Sequence, residues 1–480
     1  IRDLVRSRGL GDVYKREPYA QRSLTDKFGD SRLCSRFDTV CKQLESNLIS
    51  TIPDAAGTKS AAKAMYRFFD NKNVSPLKMI SAHRSVLTKR LPPGNGGRFL
   101  QLSDTVELDF TGKKSSKKLG PMNYLNRRGI YLHNSLITND KGVPLGLLRQ
   151  SYILRKDEDF GHAAERKSLP FEDKESHRWK EHFMEGQALC EQYPDLEGVF
   201  VADREADIME LFVSRTCERM QFIIRSKHNR KLANGKENLY RYISTQPVCG
   251  SYRMTTLHPQ TGKEREVDIE VRFCKLNLKL YKALPVKRDL PAVTLYAVEA
   301  KEINPPADIK EPVHWVLLTT LPVEDFQQAM EVIGYYILRW LIERFHYLLK
   351  SGGAKVEELQ LEESHRLQSA ITAYSIAALN VLRIRYWAEK LPKTNIYEAG
   401  ITEIEYKVLY TFAQQKIDPT VNFDQGNPPT IEQFCIVLGR IGGFLPSKRQ
   451  PLPGLKILSR AIPKLNAMVD AYLIFCQRTE

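Results

Sequence analysis

Residues 99–110 read FLQLSDTVELDF, and the fold turns on them. Leu100, Leu102, Val106, Leu108 and Phe110 fall on alternate positions, the period of a strand with one buried face. Asp104 shares that apolar face. A carboxylate there needs a reason, because burying an uncompensated polar group costs roughly 2–7 kcal/mol, and an ion more. A second apolar run, GVFVAD (198–203), ends on Asp203. A helical pattern follows from Arg204 to about Arg215. Asp203 therefore stands at the carboxyl end of its strand, where α/β sheets place ligands. With further alternating strands over 130–155, the expected fold class is α/β.

Outward from that core the chain changes character by region. The break PPGNGG (92–97) precedes the first strand. Upstream, 32–50 and 58–72 read as helices, the second starting at Thr58 and carrying Ala61, Ala62, Ala64, Met65 and Phe68, both with Arg or Lys beside the apolar face. This is a small basic helical module. Between about 232 and 322, short strands such as GSYRMTTL, REVDIEVRF, AVTLYAVEA and HWVLLTT read as an all-β insertion. A long helix is expected from about Asp325 to Leu349. From about Glu358 helices dominate, broken by the polar loop DPTVNFDQGNPPT (418–430). Repeats and low-complexity tracts are absent from the sequence.

The 480 residues suggest about three domains at roughly 150 residues each, and 42% hydrophobic content supplies real cores. Lys and Arg number 72 against 57 Asp and Glu, a net charge of +15, and residues 1–100 hold 19 against 9. Two thirds of the excess therefore sits in the first fifth. A localised basic excess suits a polyanionic partner, most simply nucleic acid, whose counterions are released on binding; a basic surface kept for solubility is the alternative. The longest apolar stretch, near Ile371–Leu382, is interrupted by Tyr374, Ser375 and Asn380 and stopped by Arg383, so no membrane span is expected. The start, IRDLVRSRGL, has no apolar h-region, so nothing there directs secretion, and Ile1 in place of Met implies numbering that begins inside a longer gene product. Cysteines at 34, 41, 190, 217, 249, 274, 435 and 476 form no C-x-x-C pair and read as reduced thiols.

On the expected long helix, at about 100° per residue, Tyr336, Arg339, Glu343 and Lys350 project at about 0°, 300°, 340° and 320°, one narrow polar stripe. Ile337, Leu338, Leu341, Ile342, Phe345, Leu348 and Leu349 occupy the arc from about 100° to 240°, which would press the helix onto a core. One carboxylate among three phosphate-friendly side chains is a specific arrangement, although a solvated face with Arg339–Glu343 pairing accounts for it equally. Asp104, Asp203 and Glu343 together could form an oxygen-rich Mg2+ site. Spacing alone leaves that open, since 57 acidic residues supply many such triples.

The spacing Tyr-x2-Arg-x3-Glu-x6-Lys over 336–350, together with DREADI (203–208), resembles the bacterial DDE transposases of the insertion-sequence-four group. The resemblance extends in chain order over KSAAKAMYRF (59–68), NKNVS (71–75), SDTVEL (103–108), RSKHNRK (225–231), EINPP (302–306), HWVLLTT (314–320), the Arg-Trp, Ile-Glu and Phe-His pairs within 339–346, and RIGGFLPSKR (440–449). It implies an RNase H-like catalytic core over 79–388 with the β insertion at about 232–322. It also implies an N-terminal helical domain over 1–78 that binds DNA ends and a C-terminal helical dimerisation domain over 389–480.

Carried over by residue, Asp104, Asp203 and Glu343 match the family's metal-binding triad, implying two Mg2+ ions, with Mn2+ as a substitute, and an in-line phosphoryl displacement. Tyr336, Arg339 and Lys350 match residues that grip the transposon end. Arg225 and Lys227 look like further backbone contacts, and Trp315 matches a tryptophan that stacks on a flipped base, or is a strand core residue. Arg32, Arg36, Lys59 and Arg67 resemble end-recognition positions, though each could be a plain surface base. His346 is read as helix surface or packing. Ile130-Tyr131 departs from the family, where a relative has a Trp pair, putting any contact made there in doubt. The implied function is cut-and-paste transposition through a hairpin intermediate by a homodimer acting on double-stranded DNA in the bacterial cytoplasm, at the nucleoid. A nuclease that cuts without joining and a non-catalytic transposition inhibitor are the alternatives.

Overall fold

The computed structural model describes residues 28–91, 97–124, 126–161, 168–258, 261–280 and 292–477. The chain divides into two compact units, Ile1–Leu91 with Thr105–Gly161 and Glu343–Glu480, and Pro92–Asp104 with His162–Ile342. Nine strands are formed among the described residues: β1 (Gly97–Asp109), β2 (Gly129–Asn139), β3 (Pro144–Ile153), β4 (Leu196–Ala202), β5 (Met220–Arg225), β6 (Gly250–Leu257), β7 (Glu264–Lys279), β8 (Ala292–Glu302) and β9 (His314–Thr319). β1 is the expected strand, and it passes from the second unit into the first after Asp104.

In the second unit the strand order is β1-β4-β5-β9-β8-β7-β6. β1, β4 and β5 are parallel, and Val199, Phe200, Val201 and Ala202 of β4 are all fully buried, as a parallel strand covered on both faces requires. β9, β8, β7 and β6 are antiparallel, and β7 alternates buried Val267, Ile269 and Val271 with outward polar residues. The expected β insertion also holds a short helix, Leu239–Ser244. Its last strand, β9, bonds directly to β5 through Ile224↔Leu318, so the inserted strands extend the parallel sheet.

A helix, His177–Gln192, buries Trp179, Phe183, Gly186 and Leu189 against this sheet. Gln101 Nε2 on β1 donates to the His182 carbonyl at 2.7 Å. A Cβ on Gly186 would collide with the Gln101 amide and the Met220 thioether, so only glycine permits this approach. The helix expected from Arg204 to Arg215 is instead a turn, Arg204–Ala206, and one helical turn, Met209–Phe212. Asp207 breaks it, at φ −71° and ψ 69°, because its carboxylate is engaged elsewhere.

The first unit carries the N-terminal helices Ser31–Ser46 and Lys59–Phe69, capped by Asp30 and Thr58. Phe28, Phe37 and Phe68 pack with ring centroids 5.5–6.2 Å apart; a fully buried aromatic of this kind contributes about 1.5–3 kcal/mol. The apolar stretch near Ile371–Leu382 lies inside the helix Ser364–Lys390 and is largely buried. Among the described residues no helix is long and apolar enough to cross a membrane. Three more helices, Glu403–Lys416, Ile431–Ile441 and Leu455–Gln477, follow. All eight cysteines are free thiols. Ile130 and Tyr131 are buried in β2, with the Arg155 guanidinium 4.3 Å from the Tyr131 ring. His346 is a packing residue, buried and paired with Asn134 at 3.1 Å.

The expected long helix is broken. It runs Phe326–Leu338, restarts as Trp340–Tyr347 and ends in a π-turn over Leu348–Gly352. Before Arg339 the buried face is Ala329, Val332, Ile333 and Tyr336; after it, Leu341, Ile342 and Phe345 are buried. The apolar face thus changes sides at the break. Ile337, expected on the core side, is exposed, and Tyr336, expected on the polar stripe, is buried.

Candidate active site and nucleic-acid interface

Parallel pairing of β1 with β4 ends at Leu102↔Val201. Asp104 and Asp203 each lie two residues beyond that pair, Asp104 within β1 and Asp203 just past the end of β4, so by register they share the same pleat parity on adjacent strands. The Asp203 carboxylate caps the Arg204–Ala206 turn, accepting the Glu205 N–H at 2.9 Å. Asp104 receives Arg339 Nη1 at 3.4 Å, both side chains mostly buried. The Arg339 guanidinium lies 5.9 Å from the Tyr336 ring, and Tyr336 meets Trp315 edge-on, centroids 5.4 Å apart and planes at 63°. Trp315, Tyr336, Arg339 and Asp104 therefore form one contiguous chain of contacts within the second unit. Arg339 stands between the two helical segments, its backbone in the right-handed helical region at φ −52° and ψ −31°.

Glu343 belongs to the first unit, half-buried on the helix Trp340–Tyr347. In the same unit Lys350 Nζ, on the π-turn, donates to the Glu107 carbonyl at 2.8 Å and pairs with Glu357 at 3.1 Å. π-turns inside helices recur at functional sites. Arg225, at the end of β5, donates from Nη2 to the His314 carbonyl at 3.0 Å, one residue before Trp315. Lys227 is exposed on the following loop, and its N–H donates to Asp207 Oδ2 at 2.7 Å.

A second basic surface lies in the first unit. Arg36, Lys59 and Arg67 are exposed, and Arg32 is exposed while paired with its cap Asp30 at 3.1 Å. Lys59 and Arg67, joined by Lys63 and Tyr66, line an open groove of about 710 Å3 that Arg366 completes. Lys59, Lys63 and Arg67 are spaced i, i+4, i+8 on one helix and share its face. Arg366 is held there by Asp70, Nε to Oδ1 at 2.6 Å, with His365 Nε2 on the same oxygen at 3.2 Å.

Residues 18–74 match the family model described as Transposase DNA-binding. The matched segment contains the helices Ser31–Ser46 and Lys59–Phe69 and the N-terminal bases of the groove; its residues 18–27 lie outside the described residues. Among solved structures, the chain is similar to one titled as the piggyBac transposase synaptic complex with hairpin DNA, at 10% identity and a TM-score of 0.33, over 62% of this chain and 49% of that one. The chain thus spans about half of that protein's length, and a likeness this slight carries no argument about the site.

Among the described residues no three His, Cys, Asp or Glu side chains make a ready-made metal cluster. The donor chemistry of Asp104 and Asp203 nonetheless suits Mg2+, which is bound through one or two carboxylates and completes its octahedron with water and substrate phosphate oxygens.

Sequence reasoning missed Asp207, Arg230, Lys63 and Arg366. The first two sit inside DREADI and RSKHNRK, and Lys63 follows from helical spacing. Nothing local marks Arg366, which meets Asp70 across 296 residues.

Proposed function

We propose that the chain is a cut-and-paste DNA transposase that binds transposon ends, cleaves them by metal-dependent phosphoryl transfer through a hairpin and joins the 3′-hydroxyl ends to target DNA. The observation that carries this is that Asp104 and Asp203 each lie two residues past the last paired residues of the adjacent parallel strands β1 and β4, in a chain whose residues 18–74 match a transposase DNA-binding model. Asp104, Asp203 and Glu343 would hold two Mg2+ ions, or Mn2+ in their place, which when bound supply activation of a water or 3′-hydroxyl nucleophile and stabilisation of the leaving oxygen.

Arg339 stands against Asp104, so its positive charge faces the oxygens of a phosphate brought to the strand ends and stabilises the charge that builds on them. Trp315, half-exposed, offers a ring face to an unstacked base, a contact worth about 1–3 kcal/mol. Tyr336 backs that ring edge-on. Lys350, Arg225 and Lys227 grip backbone phosphates, and the groove bases Lys59 and Arg67, with Arg32 and Arg36, position the end within an N-terminal domain over 1–78. A homodimer joined through 389–480 would bring two ends together in the bacterial cytoplasm.

The test is an end-labelled duplex copying the repeats that flank this chain's own gene, incubated with Mg2+ and resolved on a denaturing gel. A hairpin-length product is expected, with Trp315→Ala keeping the first nick and losing the hairpin. Cutting without hairpin or joined products would favour a nuclease, and binding without cutting an inhibitor.

A further inference from the structure

Asp207 is the last acidic residue of the DREADI motif, and its side chain is fully buried opposite an Arg230 side chain only 4% exposed. Oδ2 accepts the N–H of Lys227 at 2.7 Å and of His228 at 2.9 Å. Oδ1 accepts from Arg230 Nε at 2.9 Å and Nη2 at 2.7 Å. The Asp207 carbonyl takes a further bond from Arg230 Nη2 at 2.6 Å, and the guanidinium lies 5.4 Å from the Phe212 ring. One carboxylate therefore collects four N–H donors from a single five-residue stretch, 226–230. Ser226 is fixed as well, its N–H donating to the Val316 carbonyl at 2.7 Å and its hydroxyl to the His228 carbonyl at 3.1 Å. Between these anchors Lys227, His228 and Asn229 are left exposed.

This is more than a buried ion pair requires. Arg230 alone would neutralise Asp207. The two backbone bonds do something different: they fix the course of the loop at the residue whose side chain faces solvent. The clamp also diverts Asp207 from helical geometry, which ends the turn begun at Asp203. The turn that presents Asp203 and the loop that presents Lys227 thus share one carboxylate.

We propose that Asp207 is a positioning residue for DNA binding: it holds the 226–230 loop in the one course that presents the Lys227 ammonium to a backbone phosphate beside Asp203. The proposal rests on the DNA-processing reading above. Asp207 touches no DNA; it acts through Lys227.

Two paired substitutions separate positioning from stability. Asp207→Asn with Arg230→Met removes the charge pair but leaves an amide oxygen for the Lys227 and His228 N–H groups. Asp207→Leu with Arg230→Met removes both. The readout is affinity of the full chain for a labelled duplex across a salt series, where each lost phosphate contact lowers the slope of log K against log salt by about 1. The Asn pair is expected to keep the wild-type slope, and the Leu pair to lower it by about 1, as Lys227→Ala does, with no further drop when Leu pair and Lys227→Ala are combined. If the Leu pair does not fold, the Asn pair with and without Lys227→Ala decides the matter, because a retained clamp keeps the full effect of Lys227→Ala. Additive losses, or a slope lowered equally by both pairs, would overturn the positioning role while leaving the DNA-processing reading standing. A wild-type chain that binds no duplex would overturn both.

Discussion

The loop after β5 and the groove of the N-terminal helices offer the same basic chemistry on different foundations. In the loop, Lys227 rests on a fully buried carboxylate that receives four N–H groups. In the groove, Lys59, Lys63 and Arg67 stand on exposed helix positions, and the ion pair that places Arg366 is itself 39% and 45% exposed. A buried pair fixes one geometry and is costly to break; an exposed pair is screened and leaves the side chains free to adapt. The difference suits the two tasks proposed for these regions. A phosphate held next to reacting atoms needs a preset position, whereas a domain that finds and grips a DNA end can adjust as it binds.

Breaking one partner of each pair separates them most. Arg230→Ala strands the Asp207 charge in the interior and should lower stability by about 3–5 kcal/mol; Arg366→Ala should cost less than about 1 kcal/mol. Urea unfolding of both variants measures this, and equal losses would erase the distinction.

Acid sharpens the comparison by loosening the first unit through a group unrelated to DNA. His83 is buried, accepts the Leu147 N–H through Nε2 at 3.2 Å, and burial pushes its pKa down to about 3. Between about 6.5 and 3 the unfolded chain binds a proton that the folded chain refuses, so stability falls as pH drops through that window. At pH 4.5 the loss from this residue should be roughly 2–3 kcal/mol, and His83→Gln should flatten that part of the unfolding profile. An unchanged profile would remove His83 as the cause.

The smallest effects belong to the groove. Lys63→Ala and Arg366→Ala should each weaken duplex binding a few-fold and lower the salt slope by about 1, with stability nearly unchanged. A loss confined to one end sequence would instead mark a base contact.

These contrasts were unequally visible in the sequence. β1 and β4 were legible because alternation and an apolar run are local signals, and Asp104 and Asp203 stood out as carboxylates where apolar residues belong. The break at Arg339 was not, since neither Gly nor Pro marks it. It follows from an apolar face that changes sides, and only the core against which each half packs reveals that. For the same reason Tyr336 read as part of a polar stripe, although its ring is buried beside Trp315. The helix expected after Asp203 failed at Asp207, where a tertiary carboxylate–guanidinium pair overrode local propensity. Asp70 and Arg366 meet through the fold alone.

Strand transfer tests the central claim most directly. A labelled duplex copying the repeats that flank this chain's gene, pre-cut to expose its 3′-hydroxyl, is incubated with supercoiled plasmid and Mg2+, beside EDTA and Asp203→Asn controls. Label should enter the plasmid only with metal and intact Asp203. Joining that persists in the Asp203→Asn protein, or end binding with no joining by the wild type, would contradict the assignment.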